Sequence, residues 1–383
     1  MLPRLLIGIC LATASAMLFP APAGARPRVV ELRQGWSLQS ATAAGADGEQ
    51  ISIFGFKVRS WHPAAVPTTV LGALVQDGTV KEPFHGRNLE SVSPQPFAGP
   101  WWFRTEFQLS KSRSEASVRL QLDGLNYRAD IWLNGHRIAD RERIAGAFRT
   151  FDLEVKPFVN DGPNALAILV HPPQSGEFAM GFVDWNPEPP DRNMGLFRPV
   201  RIRCSGPVSL NDPFVQTRVE TRTLAAATLE VSTELVNRTD RTMAGRVEGR
   251  IGKLRFGMPY SLEAGERKQI QFSPDRFPVL KVANPRLWWP HNLGEPALHT
   301  LQLSVAADGH SSDSREIRFG IREIGEYTTP EGHKGWTVNG RRVLLRGGGW
   351  VDDLFLREDP KKLEAQLRYI RHMNLNTIRL EGF

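Results

Sequence analysis

Three stretches of the chain gather side chains able to do chemistry. "NTIRLEGF", Asn376 to Phe383, carries Arg379 and Glu381 on a run of strand character. Two residues apart on a strand, both project to the same side. A guanidinium and a carboxylate offered together can grip a polar partner, and a simple salt bridge with each other or a neighbour is the plainer use of the same spacing. The Pro-rich "FVDWNPEPPDRNMG" sets Asp184, a hydrogen-bond acceptor, beside the flat ring of Trp185. A Trp in a β-rich chain is more often core, but its Asp, Asn and Pro neighbours favour an exposed loop. Trp350, Asp352 and Asp353 follow Gly347-Gly348-Gly349. Glycines can cradle a phosphate, yet no Lys-Ser/Thr follows them as a P-loop requires. Close backbone packing explains them better, leaving Trp350 and the two acids as binding candidates.

Other conspicuous residues read as scaffold. Trp101-Trp102 and Trp288-Trp289 suit packing within and between domains, and Asn126, Asn134 and Asn193 suit turns. Once the leading segment is removed, Cys204 has no cysteine to pair with. A lone Cys and dispersed His residues give no metal-ligand spacing, so neither zinc nor cysteine-nucleophile chemistry is indicated and no cofactor is implied. The net charge of +7 over 383 residues is modest. Its basic residues are scattered, which argues against a nucleic-acid partner.

Elements that could position these residues follow from patterning. Residues 1–25, "MLPRLLIGICLATASAMLFPAPAGA", have one Arg, an apolar run and Ala23-Gly24-Ala25. This reads as a secretory signal peptide and predicts a secreted or periplasmic protein. Its run is short of the ~20 residues of a spanning helix, and no other stretch could insert stably in a membrane. Residues 26–207 alternate apolar and polar positions between turn residues. In "SVRLQLDGLNYRADIWLNGHRIAD", both Asp123-Gly124 and Asn134-Gly135 predict hairpin turns. That style predicts an antiparallel sandwich of jelly-roll type. Residues 208–327 continue with several short strands, as in "ATLEVSTELVNRTD", and suit an immunoglobulin-like sandwich.

From 328 to 383 the pattern changes. "RRVLLRGGGW" reads as a strand buried on both faces. "DPKKLEAQLRYIRHMNLN" reads as a helix with Asp359 as N-cap, Pro360 at its first position and Asn374 closing it. "NTIRL" then reads as another core strand. Strand, helix, strand opens a parallel α/β unit. A (β/α)8 barrel takes about 250 residues, whereas 53 follow Pro330, so the barrel is expected to be incomplete in this sequence.

In this order, the strings "VPTTVLGALVQDGTVKEPFHGRNL", "WWFRTEFQL", "VDWNPEPPDRNMGLFRPVRI", "NPRLWWP", "RFGIREI" and "HMNLNTIRLEG" resemble family 2 glycoside hydrolases. The likeness is to the exo-β-D-glucosaminidase and β-mannosidase branch and covers the N-terminal portion of such enzymes. It implies a mainly β fold: a sugar-binding jelly roll and an immunoglobulin-like sandwich, then the start of a (β/α)8 barrel. It further implies a retaining β-glycosidase acting on terminal β-linked sugars of glucosamine- or mannose-containing oligo- or polysaccharides. The resemblance places the catalytic carboxylate pair on later barrel strands, so no catalytic residue is assigned here. It gives Arg379 the role of holding a nucleophilic carboxylate, and Glu381 that of receiving a 2-amino group. Asp184, Trp185, Trp350, Asp352 and Asp353 become substrate-binding candidates. The alternative from another class is a non-catalytic secreted carbohydrate-binding protein.

Overall fold

The structure, a computed structural model, describes residues 28–110, 115–180, 187–357 and 359–380. The leader segment with its export reading, and the candidates Asp184, Trp185 and Glu381, lie outside them. No helix among the described residues is long and apolar enough to cross a membrane.

The first domain stacks two antiparallel sheets. One has four strands: Arg28–Glu31, Val200–Ser205, Ser117–Leu122 and Phe151–Glu154 in spatial order. The other has six, with Trp101–Leu109 and Gly162–His171 at its centre. Alternate residues of each strand point inward. Val118, Leu120, Leu122 and Ile202 therefore meet Phe103, Ile131, Leu133 and Ile168 in one buried core. Trp102 is buried on the opposite face of its sheet, with Ile51 and Ala167 in a satellite cluster. Both Trp101 and Trp102 are scaffold, as their sequence context indicated.

Of the two expected hairpins, one forms. Arg128–Leu133 pairs with His136–Ala139 across Asn134-Gly135, whose φ angles are +50° and +85°. Asp123-Gly124 is not a hairpin turn, because the strands it separates, Ser117–Leu122 and Arg128–Leu133, belong to different sheets. Gly124 has another reason to be glycine: a Cβ there would approach Arg198 Cγ to 2.7 Å and the Phe197 ring to 3.1 Å.

The second domain is again a two-layer antiparallel sandwich. Val208–Val219, Ala226–Asn237 and Arg267–Phe272 form one layer. Leu254–Leu262, Met243–Ile251, His299–Ala307 and His310–Phe319 form the other. Leu229, Val231 and Leu235 meet Val247, Leu301 and Leu303 between them. A buried ion pair, Arg203 to Asp313 at 2.5 Å, joins the two domains. Asp313 also accepts from Leu210 N–H at 2.9 Å, so the carboxylate fixes the direction in which the chain leaves the first domain. Trp288 and Trp289 carry the guanidinium groups of Arg322 and Arg341 on their faces, at 4.5 and 4.9 Å, and Arg341 belongs to the next segment.

"RRVLLRGGGW" departs from expectation. It is two short strands rather than one: Arg341–Val343 is antiparallel to Lys334–Val338, while Gly347–Trp350 is parallel to Thr377–Leu380. Between them Leu344 and Leu345 are 75% and 50% exposed, so the run is not buried on both faces. The helix Pro360–His372 connects the parallel pair, giving a β-α-β unit. Its ends match the sequence reading: the Asp359 side chain accepts from Lys361 N–H, and Asn374 is left-handed with φ +57°.

Candidate functional site

The loop after the Gly347–Trp350 strand folds back onto the first domain. Phe355 is fully buried in that domain's core, its ring 5.4 Å from that of Phe84. Gly72 permits this approach, since a Cβ there would come within 3.2 Å of Phe355 Cβ and 2.9 Å of Thr68 Oγ1. Leu356 packs separately with Ala147 and Phe197. Arg357 lies over both Phe84 and Phe355, at 5.6 and 4.8 Å. A cleft of about 790 Å³ opens beside this anchor. One wall is the loop Pro83 to Glu90 with Pro187 and Arg198, and the other is Trp350 to Asp353 with Lys362 and Leu363 from the helix.

Charges in the cleft divide by their partners. Asp353 accepts from Phe355 N–H at 3.0 Å, from Arg357 at 3.0 and 3.1 Å, and from Lys362 Nζ at 2.9 Å. Burial alone pushes the Asp353 carboxyl up. The hydrogen bonds from Arg357 and Lys362 outweigh it and hold the group at about 2. Asp353 is thus an ionised clasp that closes its own loop, with little capacity left for a ligand. Glu90 receives Arg87 Nε at 2.9 and 2.8 Å. Asp359 caps the helix through Lys361 N–H at 2.9 Å. Asp352 is exposed on the cleft wall beside the half-buried Trp350. An aromatic face next to a carboxylate suits a polyhydroxylated ligand, which presents C–H surface and hydroxyl donors together.

Asp191 and Asn126 anchor the cleft's Pro-rich side. Asp191 is buried and accepts from Leu71 N–H at 2.7 Å and Asn193 N–H at 3.0 Å. Burial dominates its ionisation and lifts the carboxyl to about 6, although the Leu71 and Asn193 amides favour the charged form. Asn126 is fully buried. Its amide donates to Arg192 O at 3.1 Å and Asn193 O at 3.2 Å, and its oxygen accepts Met180 N–H at 3.1 Å. It is therefore a clamp on both ends of the 180–193 segment rather than a turn residue. Gly195 completes the anchor, because a Cβ there would lie 2.6 Å from Thr68 O. Asn134 and Asn193 do occupy left-handed turn positions, with φ of +50° and +58°.

The structure thus brings Trp350, Asp352 and Asp353 into one cleft. Arg379 is elsewhere: it pairs in register with Gly349, one position before the Trp350–Leu380 pair, and is exposed outside the cleft lining. Strand alternation turns neighbouring residues to opposite faces, which separates Arg379 from the face used by Trp350. Sequence reading missed Phe84, Arg87 and Glu90 of the opposite wall. Their loop has no periodicity, and only the fold sets it against residues more than 250 positions later.

Comparison with known proteins agrees with this architecture. Residues 36–180 match the family described as "Glycosyl hydrolase 2 galactose-binding domain-like", and residues 208–322 match "Glycosyl hydrolases family 2". The chain belongs to glycosyl hydrolase family 2. It is 36% identical over 349 residues to an exo-β-D-glucosaminidase of Streptomyces avermitilis, covering 91% of this chain and 38% of that protein. The exo-β-D-glucosaminidase of Amycolatopsis orientalis is 32% identical over 97% of this chain and 35% of its own length. The crystal structure of the exo-chitosanase CsxA from Amycolatopsis orientalis superposes with a TM-score of 0.87 at 32% identity, over 93% of this chain and 41% of that one. The chain therefore spans well under half the length of these relatives.

Proposed function

We propose that the protein acts, in its full-length form, as a retaining exo-β-glycosidase that removes terminal glucosamine from β-linked oligo- or polysaccharides. The observation that carries this reading is the likeness to exo-β-D-glucosaminidases along nearly the whole chain, at 36% identity to the Streptomyces avermitilis protein. A mannosylglycoprotein endo-β-mannosidase of Lilium longiflorum is 29% identical over 84% of this chain, which keeps β-mannosides as the second substrate class.

A retaining glycosidase needs two carboxyl groups about 5–5.5 Å apart, one attacking the anomeric carbon and one transferring protons. Among the four acids lining the described cleft, Glu90, Asp353 and Asp359 are each committed to a partner within the protein. We place the catalytic pair, as the family resemblance implies, outside these 383 residues, on further strands of a (β/α)8 barrel begun by the Gly347–Leu380 unit. In this reading Trp350 stacks on a pyranose and Asp352 accepts its hydroxyl hydrogen bonds. From the family resemblance alone, Asp184, Trp185 and Glu381 are carried as further substrate contacts, Glu381 for the 2-amino group, and Arg379 as the partner of the nucleophile. The 1–25 leader supports export to the periplasm or medium.

Release of p-nitrophenol from its β-D-glucosaminide, β-D-mannoside and β-D-galactoside tests the proposal. Protein from the complete reading frame is expected to cleave the glucosaminide fastest, and the 383-residue polypeptide to show no turnover. Failure of the complete protein on all three overturns the glycosidase reading. Calorimetric binding of glucosamine oligomers without hydrolysis would then support a carbohydrate-binding protein.

A further inference from the structure

A second cleft, of about 740 Å³, lies on the outer face of the second domain's four-stranded layer, next to Val29 and Arg203 of the first domain. Its charge is one-sided. Five arginines line it, Arg203, Arg246, Arg250, Arg255 and Arg315, against two acids, Glu248 and Glu316. Both acids are engaged: Glu248 with Arg246 Nε at 3.0 Å, and Glu316 with the Gln302 amide at 3.0 Å. Arg203 is bound to Asp313. Arg250 and Arg255 are exposed and stand directly opposite each other across an antiparallel pair. Like charges so placed are destabilising unless an anion lies between them. Lys253, exposed in the connecting turn, adds a third cation to that end.

The row between Arg246 and the Arg250–Arg255 pair runs Gly257, Glu248, Ser304 and Ser314 in register, small and hydroxylated apart from Glu248, whose charge Arg246 offsets. Gly257 could not carry a side chain, since its Cβ would lie 2.9 Å from Val247 O. Arginine forks beside these hydroxyls suit the oxygens of carboxylates. Arg246 and Arg250 are four residues apart on one strand, about 13 Å at ~3.3 Å per residue. A single small anion bridges Arg250 and Arg255 alone, whereas a chain bearing repeated carboxylates reaches Arg246 as well.

We propose that this groove binds an acidic, carboxylate-bearing polysaccharide strand, with Arg250 and Arg255 as its principal contacts. It is separate from the cleft at Trp350 and shares no lining residue with it. It also has the wrong sign for a polymer of cationic amino sugars, so it serves a different ligand.

Titration of the full chain with oligogalacturonate, inorganic phosphate and neutral dextran tests this. Expected are binding to oligogalacturonate that weakens at least tenfold between low and ~0.5 M salt, and none to dextran. The double substitution Arg250→Glu with Arg255→Glu is expected to weaken binding at least tenfold. The milder Arg250→Gln with Arg255→Gln, whose fold is checked by circular dichroism, is expected to weaken it at least threefold. Arg222→Glu, on an exposed loop of the same domain, is expected to leave it unchanged. Absence of oligogalacturonate binding, equal affinity for phosphate, or an equal loss with Arg222→Glu overturns the proposal.

Discussion

Two strands of this protein carry the same local pattern, an apolar residue, an arginine and a leucine, with opposite outcomes. In Ser117–Leu122, Val118 and Leu120 are 1% and 0% exposed, and Arg119 is 5% exposed, paired with Asp152 at the boundary with the second domain. In Thr377–Leu380, Ile378 and Leu380 are 42% and 70% exposed. The difference does not lie in the strands. The first has a second sheet over one face and a neighbouring domain over the other, whereas the second has one parallel partner and a helix whose Leu363 and Leu367 are themselves about half exposed. Hydrophobic pattern specifies which residues seek burial, and the layers packed above them determine whether they attain it.

Truncation should separate the two regions most sharply. Leu120→Ala empties a closed core and is expected to cost 2–5 kcal/mol, roughly, whereas Leu380→Ala should fall within about 0.5 kcal/mol. Equal shifts of the denaturant midpoint would remove the contrast. Phe355 bridges the regions, because it belongs to the later segment yet is buried in the first domain. Phe355→Ala is expected to cost about 3–5 kcal/mol and to weaken glucosamine-oligomer binding at the Trp350 cleft, measured by calorimetry. A stability loss with unchanged binding would show that the loop does not shape the cleft.

The smallest effect distinguishes two buried acids by sign. Asp353, held at about 2, contributes stability that is complete above the unfolded value near 3.8 and is lost as pH falls through 2. Asp191, lifted to about 6, favours the fold while protonated, and that contribution is lost as pH rises from about 3.8 through 6. Asp353→Asn should therefore destabilise at neutral pH, with the penalty disappearing near pH 2. Asp191→Asn should flatten the decline between pH 4 and 6. Urea midpoints from about pH 2 to neutral pH check both, and identical slopes for wild type and Asp191→Asn between pH 4 and 6 would contradict the assignment.

What the sequence determined was local or periodic. The helix Pro360–His372 and its Asp359 and Asn374 termini were legible, because capping involves residues within a turn of each other. So were the Asn134-Gly135 hairpin and both sandwiches, since alternation and left-handed turn residues are properties of short segments. Trp350 and Asp352 were legible as candidates by residue type. Tertiary structure alone decided the rest, because the contacts are remote in sequence. It sent Asp123-Gly124 from sheet to sheet and made Asp191 the partner of Leu71, 120 residues away. It turned Asp353 from a binding candidate into a loop clasp and set Phe84 and Glu90 opposite Trp350. A side chain's type limits the chemistry it can do, and the neighbours that folding brings to it select which chemistry remains available.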